Sequence, residues 1–378
     1  MTDSPHRVQG LADDEVAADW PPISAQEIAA LGALHPRLHG RCTLRWCSPR
    51  PFSAAAIIDT ATGAVFLKRH HHSVRSVDTL LEEHRFIEHL ARQGMPVVQL
   101  LPDAQGATAF AHGRWTYELH SVAPGHDLYR DAASWTPVGA RVQAQQAGRM
   151  LARLHQASAS YRAPQRQTHI LVARDDLIRA DDPIAALQQQ LPGRPALADY
   201  LGGRDWQRQL GEDVLALHAG LPAKLRGVPR QWAHNDWHVS NLLWRAEPQP
   251  PGISAVFDFG LASPTSALFD LATAIERNAI AWLALDGPAP PARTDIASGL
   301  VQGYSELQPL GPEQLGLLAA LLPVVHLDFA LSEVEYFHGI TGSTANADVA
   351  WYTFLLGHAR WFRSSDGQQL LDTLRGAQ

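Results

Sequence analysis

The chain has 378 residues, 46% of them hydrophobic, which is enough for a sizeable core and argues against disorder. Its 31 lysines and arginines against 38 aspartates and glutamates give a formal net charge of −7, which excludes an overall basic field for nucleic acid. Two cysteines, Cys42 and Cys47, cannot form a disulfide framework, and two thiols without further ligands are not a zinc pattern. The length favours two domains, or one large domain with two lobes.

Residues 1–22 are predicted to form a mobile arm, because they are polar and acidic and lack the apolar segment of a signal peptide. The longest uncharged apolar stretch, Leu315–Val325, is shorter than the roughly 20 residues with which a helix spans a bilayer. We therefore expect a cytoplasmic protein that binds neither membranes nor nucleic acid.

Residues 23–120 are predicted to form an N-terminal lobe around a small antiparallel β-sheet. One helix is expected within it, because apolar residues recur at helical spacing between Leu80 and Leu90. Short β-prone segments bounded by turn residues surround that helix. The predicted strands are Ser53–Ile58, Ala64–Lys68, Val97–Leu101, Ala107–Ala111 and Arg114–Val122.

Residues 121–378 are predicted to form a larger, mainly α-helical lobe. Apolar residues at a spacing of 3.6 mark one helix between Val142 and Leu154, and the chain from Gln314 onward is almost continuously helix-like. Two short strands, Leu242–Trp244 and Ile253–Phe257, are expected in the middle of this lobe.

The most informative segment contains His234, Asp236 and Asn241 in the spacing H-x-D-x4-N, and Asp258-Phe259-Gly260 follows it. Phosphoryl transfer needs a carboxylate that orients the attacking hydroxyl and accepts its proton. It also needs oxygen ligands for the Mg²⁺ that bridges the phosphates. These motifs supply such groups in the order of a kinase catalytic loop and D-F-G segment. With a strand lysine in the N-terminal lobe, they indicate a phosphotransferase.

The run His234–Leu243 resembles the catalytic loop of the aminoglycoside phosphotransferase family, which shares the protein-kinase fold with choline kinases and some homoserine kinases. The runs Phe257–Gly260 and Phe269–Ala272 are similar to the magnesium-binding and helix-anchoring motifs of that family. The resemblance implies an α+β, two-lobed protein-kinase-like fold with a small antiparallel sheet lobe and a larger, mainly α-helical lobe. It also implies a small-molecule kinase that uses ATP and Mg²⁺ to phosphorylate a hydroxyl group.

The same resemblance implies a role for individual residues. Asp236 matches the catalytic base, and Asn241 and Asp258 match the Mg²⁺ ligands. Asp270 matches the residue that braces the catalytic loop through backbone hydrogen bonds, and His234 would support the same loop.

The N-terminal lobe carries the residues that resemble the nucleotide site of the family. Lys68 matches the strand lysine that grips the α- and β-phosphates, and Glu83 matches its partner on the helix, with Glu82 as the neighbouring alternative. An ammonium group suits phosphate, and a carboxylate fixes its position. No G-x-G-x-x-G precedes the first hairpin, so the choice between ATP and GTP stays open. The hinge residues whose backbone would bind adenine are Glu118, Leu119 and His120.

Other functions stay open beside this prediction. A protein kinase would carry an A-P-E segment after D-F-G, which the sequence lacks. A catalytically silent nucleotide-binding protein would keep the fold and lose chemical groups, and none is lost here. His234, Asp236 and His238 also form H-x-D-x-H, which on a strand would suit a metallohydrolase, although no second cluster with ligand spacing accompanies it.

The C-terminal helices suggest what the acceptor carries. Between Gly311 and Ala359 the only charged residues besides histidine are acids, and Asp328 and Glu335 fall at i and i+7, on one face of a helix. Such a face would attract an amine-bearing acceptor such as an aminoglycoside, and an ordinary solvated acidic face is the alternative. The identity of the acceptor and the oligomeric state are not readable from the sequence.

Overall fold

The structure is a computed structural model that describes residues 7–9, 15–130, 132–133, 135–245, 252–285, 287 and 290–377. The chain divides into two compact units, one of residues 1–126 with 254–257 and one of residues 127–253 with 258–378. The predicted lobe boundary after residue 120 falls within Trp115–Ser121, a strand of the first unit.

The first unit contains a sheet, a long helix and short flanking elements. They are β1 (Arg7–Gln9), β2 (Glu15–Ala17), α1 (Ala25–Leu31), β3 (Thr43–Cys47), β4 (Ala54–Thr60), β5 (Gly63–His71), α2 (Val77–Arg92), β6 (Ala109–His112), β7 (Trp115–Ser121) and most of β10 (Ile253–Val256). The main sheet is antiparallel, as predicted for this lobe, and its strand order is β3-β4-β5-β7-β6, with the unpredicted strand β3 at one edge.

One strand prediction in this unit is wrong. Val97–Leu101 forms isolated bridges, Val97 with Val256 and Leu100 with His120, rather than a strand. Pro96 and Pro102 flank the segment, and proline cannot donate a ladder hydrogen bond.

The described part of the predicted mobile arm is paired and packed, whereas residues 1–6 and 10–14 lie outside the described residues. β1 and β2 form an antiparallel pair, and the N–H of Gln9 donates to the carbonyl of Pro49 at 2.9 Å. Trp20 stacks on His71 with 4.9 Å between ring centroids.

Helix α2 begins at a serine cap, where the Ser76 hydroxyl accepts from the N–H of Thr79. Its apolar residues recur at helical spacing and bury one face against the sheet side of the unit. Two polar residues, Glu83 and His84, lie on this buried face as well. Their burial marks them for a role beyond packing, because buried charged groups need partners.

The second unit is mainly helical. It contains α3 (Arg141–Ser158), α4 (Asp176–Arg179), α5 (Pro183–Gln190), α6 (Pro195–Leu201), α7 (Trp206–Asp213), α8 (Leu215–His218), α9 (Leu221–Leu225), β8 (Gln231–Ala233), β9 (Leu242–Trp244), β11 (Ser263–Thr265), α10 (Ala267–Ala279), α11 (Thr294–Ser305), α12 (Pro312–Leu321), α13 (Leu327–Tyr336), α14 (Thr344–Asp348), α15 (His358–Trp361) and α16 (Ser365–Arg375). π-Helical turns follow α13 at Phe337–Thr341 and α14 at Val349–Gly357.

Close packing of α3 on α11 positions a buried histidine. A Cβ atom at Gly148 would lie 2.1 Å from the carbonyl oxygen of Leu300, and one at Gly303 would lie 1.9 Å from that of Gln145. Only glycine allows this approach of two helix backbones. The approach brings His155 of α3 within 2.8 Å of the hydroxyl of Tyr304.

Helix α10 is the central helix of this unit, because its residues are buried on every side from Leu268 to Ala279. It begins at Ser266, whose hydroxyl accepts from the N–H of Phe269 at 3.2 Å. A helix buried all round can direct polar side chains only at other parts of the protein, and α10 directs several at the catalytic-loop segment.

One helical stretch, Pro312–Thr341, is long and apolar enough to cross a membrane by length and composition alone. The protein itself buries 83% of its apolar window, which is typical of a core helix.

Candidate functional site

The loop between β8 and β9 brings Asp236 and Asn241 together. The side-chain amide of Asn241 donates to the Asp236 carbonyl oxygen at 3.0 Å and to Asp236 Oδ2 at 3.2 Å. The Asp236 side chain is largely buried, with 14% of its surface exposed. A mostly buried carboxylate with one open edge can receive a hydroxyl group that enters from solvent.

Asp270 fixes the start of this loop from α10. Its carboxylate accepts from the N–H of His234 at 2.9 Å and from the N–H of Asn235 at 2.8 Å. His155 Nε2 lies 3.0 Å from Asp270 Oδ2, so the carboxylate is held from a third side. The backbone contacts are those that the family resemblance implies for Asp270.

Asn278 fixes the end of the loop from the same helix, and sequence reasoning missed it. Its amide nitrogen donates to the carbonyl of Trp237 at 2.7 Å, and its amide oxygen accepts from the N–H of Val239 at 3.0 Å. The spacing i and i+8 places Asp270 and Asn278 on one helix face. That spacing is the signal that could have identified Asn278.

Asn235 has a left-handed backbone, with φ of 59°. Asparagine tolerates this conformation better than most residues. Its side chain is anchored on β11, where it donates to the carbonyl of Ser263 at 3.1 Å and accepts from the hydroxyl of Thr265 at 2.6 Å. The anchored turn presents Asp236 directly after it. Sequence reasoning gave Asn235 no role.

Arg277, also unassigned from sequence, pairs with the predicted base. Its Nη1 lies 3.1 Å from Asp236 Oδ1, and His238 Nε2 lies 3.7 Å from Asp236 Oδ2. Burial would raise the pKa of Asp236, but the positive charge of Arg277 and the His238 imidazole outweigh it and hold that pKa below its usual range. Asp236 is therefore a carboxylate at neutral pH.

Asn241 and Asp258 have the chemistry of a Mg²⁺ site. Since the amide nitrogen of Asn241 points to Asp236, its amide oxygen is the atom left for a metal ion. Asp258 is half-buried and has a left-handed backbone with φ of 59°, a conformation found at functional sites. An amide oxygen and a carboxylate suit Mg²⁺, which prefers oxygen ligands.

The H-x-D-x-H alternative has little support in the geometry. His234 Nδ1 accepts from the N–H of Asp236 at 3.2 Å, and its buried ring packs against Trp237 and Phe259. His238 Nδ1 contacts the hydroxyl of Ser240 at 2.5 Å. Both histidines are thus engaged in holding the loop, in the supporting role predicted for His234.

The predicted nucleotide residues lie in the first unit. Lys68 of β5 is directly opposite Glu118 of β7, and its side chain is buried. Glu83 is buried on the inner face of α2.

Glu118 is fully buried and surrounded by imidazoles: its carboxylate lies 3.0 Å from His70 Nε2, 2.8 Å from His84 Nε2 and 2.7 Å from His120 Nε2. Burial would raise the pKa of Glu118, but these histidines lower it well below the usual value.

The hinge prediction for Glu118, Leu119 and His120 needs correction. All three lie inside β7 and pair with residues of β5, and the carbonyl of Leu119 also accepts from the N–H of Leu101 at 2.8 Å. A backbone in the middle of a sheet is already hydrogen-bonded, so it has few groups left for adenine. The strand ends at Ser121, beyond the predicted hinge.

The predicted acceptor residues Asp328 and Glu335 both lie on α13, and both are buried. Glu335 Oε2 is 2.8 Å from Nε of the buried Arg194, so its charge is already neutralised. Burial, with Asp176 nearby, raises the pKa of Asp328 to about 7. A third acid of this helix, Glu333, is near enough to Asp236 for the two charges to interact, and it lines a cavity together with Arg277.

Comparison with known proteins identifies the family. The model of the phosphotransferase enzyme family matches residues 51–310, more than half of the chain. The chain belongs to this family. The predicted family is therefore confirmed, and its model describes phosphotransferases.

Curated relatives of this phosphotransferase family member include a stress response kinase A of Salmonella choleraesuis, 24% identical over 262 residues. The match covers 65% of this chain and 63% of that protein, so the chain spans about three fifths of its relative's length.

Solved structures confirm the predicted protein-kinase-like fold. An amicoumacin kinase in complex with AMP-PNP, Ca²⁺ and its ligand is similar with a TM-score of 0.55, 15% identity and 88% of each chain covered. A Plasmodium vivax ethanolamine kinase is similar with a TM-score of 0.55, 10% identity, and 86% and 84% of the two chains covered.

Proposed function

We propose that this protein transfers the γ-phosphate of ATP to a hydroxyl group of a small molecule. The observation that carries the proposal is the geometry around Asp236. This protein belongs to the phosphotransferase family, and in it Arg277 keeps the Asp236 carboxylate ionised while Asn241 orients it. A carboxylate so placed can orient the acceptor hydroxyl and take its proton.

The remaining roles follow the chemistry of each side chain. Asn241 and Asp258 would hold Mg²⁺, which when bound neutralises charge on the phosphates. Lys68 would contact the phosphates as a point charge, and Glu83 would position it. A cytoplasmic location belongs to the same proposal.

We propose further that the acceptor carries an amine beside its hydroxyl. Asp236 and Glu333 are two acids beside one guanidinium, that of Arg277, so ionisation of Glu333 gives this region an excess of negative charge. Such an excess attracts a cation and repels anionic acceptors. Ethanolamine, which the solved Plasmodium enzyme is named for, has this chemistry.

The test is a screen for ADP formation with ATP, Mg²⁺ and three acceptor sets: amino alcohols and aminoglycosides, neutral polyols, and sugar phosphates. The expected result is turnover with an amine-bearing acceptor that disappears in Asp236→Asn. Turnover with neutral or anionic acceptors only would contradict the amine proposal and leave the kinase proposal standing. Nucleotide binding without turnover on any acceptor would favour the silent alternative.

The acid that selects the amine can be tested separately. Glu333→Gln should raise the acceptor KM several-fold with little change in the KM for ATP. Asp328→Asn on the same helix is the matched comparison, because Asp328 is not in the cavity that Glu333 lines. Glu335→Gln is unsuitable, since it would remove the ion-pair partner of the buried Arg194.

A further inference from the structure

A cluster of two histidines and a glutamate lies deep in the second unit, outside the proposed phosphotransfer residues. Glu276 of α10, His326 just before α13 and His358 at the start of α15 each bring a ligand atom within 4.8 Å of the others. All three side chains are buried. Two imidazoles and one carboxylate are a known ligand set for zinc.

The protonation of His326 leaves one ring nitrogen with an unused lone pair. Its Nε2 lies 3.0 Å from the carbonyl of Leu355, which can only accept, so Nε2 carries the proton. The other ring nitrogen, Nδ1, is then an acceptor, and it is buried without a hydrogen-bond partner among the described residues. An imidazole whose second nitrogen donates to a backbone carbonyl is oriented as metal-binding histidines usually are.

The other two residues are held in a suitable state. His358 Nδ1 lies 3.3 Å from Glu276 Oε1, and the His358 ring stacks on Trp282 with 3.4 Å between centroids. Burial lowers the pKa of His358 and lowers that of His326 to about 4. Burial would raise the pKa of Glu276, but His358 and Arg277 outweigh it. Neutral imidazoles and an ionised carboxylate are the forms that bind a metal.

The adjoining cavity has room for an ion. Glu276, His326 and His358 line it together with Glu333 and Arg277, and its volume is about 20 Å³. A single water molecule needs about 10–15 Å³ in such a cavity.

We propose that Glu276, His326 and His358 form a binding site for a divalent transition metal ion, with zinc as the best match. This ion is separate from the Mg²⁺ proposed at Asn241 and Asp258. Because Glu276 precedes Arg277, whose Nε lies 3.9 Å from Glu276 Oε2, a metal there would also fix the arginine that pairs with Asp236. The site would act as a structural support of the catalytic carboxylate.

A second histidine cluster makes a useful contrast. His84, Glu118 and His120 of the first unit also bring ligand atoms within 4.8 Å of one another. There, however, each imidazole lies at hydrogen-bond distance from Glu118, and His84 Nδ1 lies 2.7 Å from the hydroxyl of Thr108. The polar atoms of that cluster are satisfied by hydrogen bonds, so it does not need an ion.

The experiment measures zinc retained by the full chain after stripping with a chelator, reloading with Zn²⁺ and gel filtration, with thermal unfolding recorded beside it. His326→Gln and Glu276→Gln should each lose one zinc per chain relative to wild type. Their affinity for Zn²⁺ should fall at least about 100-fold, since even outer-shell partners are worth about 10–100-fold. Stabilisation by Zn²⁺ should disappear in both variants.

The matched control is His218→Gln. His218 is likewise buried in the second unit, with Nε2 3.0 Å from the carbonyl of Ile178, but it lies outside the cluster. It should retain the zinc. Equal zinc retention in wild type, His326→Gln and Glu276→Gln would overturn the proposal, as would loss of the ion in His84→Gln instead. No step of the test depends on turnover, so failure of the phosphotransfer proposal would be seen separately.

Discussion

Arg277 Nη1 lies 3.1 Å from Asp236 Oδ1, while the amide of Asn241 donates to the other carboxylate oxygen at 3.2 Å. The carboxylate is therefore held from both sides before any acceptor binds. The guanidinium is itself confined, because it lies 4.9 Å from the centroid of the Phe329 ring. Orientation and ionisation of the predicted base thus depend on a residue of α10 as well as on its own loop.

Asp236→Asn should nearly abolish turnover and leave nucleotide affinity unchanged. A positioned general base is worth about 10²–10⁴-fold in rate, and an amide cannot accept the proton. The measurement is kcat together with the Kd for ATP. Asp213→Asn is the matched control, since Asp213 is also a largely buried acid paired with an arginine, Arg360 at 2.7 Å. A kcat within tenfold of wild type in Asp236→Asn would exclude the base role.

Arg277→Gln should move the acidic limb of the kcat/KM profile to higher pH. Asp236 acts as a base only when deprotonated, and Arg277 lowers its pKa, so removal of the guanidinium raises that pKa. An opposite charge at this distance is worth about 1–3 pH units. Arg277→Lys keeps the positive charge, so its acidic limb should lie close to that of wild type. An unchanged limb in Arg277→Gln would show that the ion pair does not tune the base.

Asp270→Asn should destabilise the protein strongly, because its carboxylate accepts two backbone N–H groups and contacts His155 with no exposed surface. An amide nitrogen in that place would face donors, and a buried unsatisfied group costs about 1–3 kcal/mol, more where a charged group is involved. Ser266→Ala, which removes the cap of the same helix, should cost only about 1 kcal/mol. Urea unfolding of both variants checks the order, and a smaller loss in Asp270→Asn would contradict it.

The sequence could predict contacts and elements that involve residues close together along the chain. Asp236 and Asn241 are five positions apart on one loop, and periodicity revealed helix α2. The ion pair of Arg277 with Asp236 was not predictable, because it depends on how α10 packs against the loop. The imidazoles around Glu118 were missed for the same reason, since His70 and His84 come from a strand and a helix that meet only in the folded unit. The hinge was misplaced because periodicity does not fix where a strand ends.

Glu333→Gln should make the free energy of unfolding less sensitive to rising pH. Burial raises the pKa of Glu333 to about 8, and the neighbouring acids Glu276 and Asp236 add to this while Arg277 opposes it. At pH values between 4.5, the ordinary pKa of this group, and about 8, Glu333 of the folded chain keeps a proton that it releases in the unfolded chain. The free energy of unfolding therefore falls as the pH rises through this window, by up to about 1.4 kcal/mol per pH unit.

Glutamine carries no charge at either pH, so Glu333→Gln should gain stability over wild type between pH 5 and pH 8, by up to about 4 kcal/mol. The measurement is urea unfolding of both proteins at the two pH values, with chelator present so that a bound metal does not shift the equilibrium. Glu313→Gln, which removes an exposed acid at the start of α12, controls for the loss of one negative charge from the same half of the chain. If the free energies of unfolding of wild type and Glu333→Gln differ by the same amount at pH 5 and pH 8, Glu333 is not held protonated in the folded protein. The excess negative charge around Arg277 is then present without any bound cation.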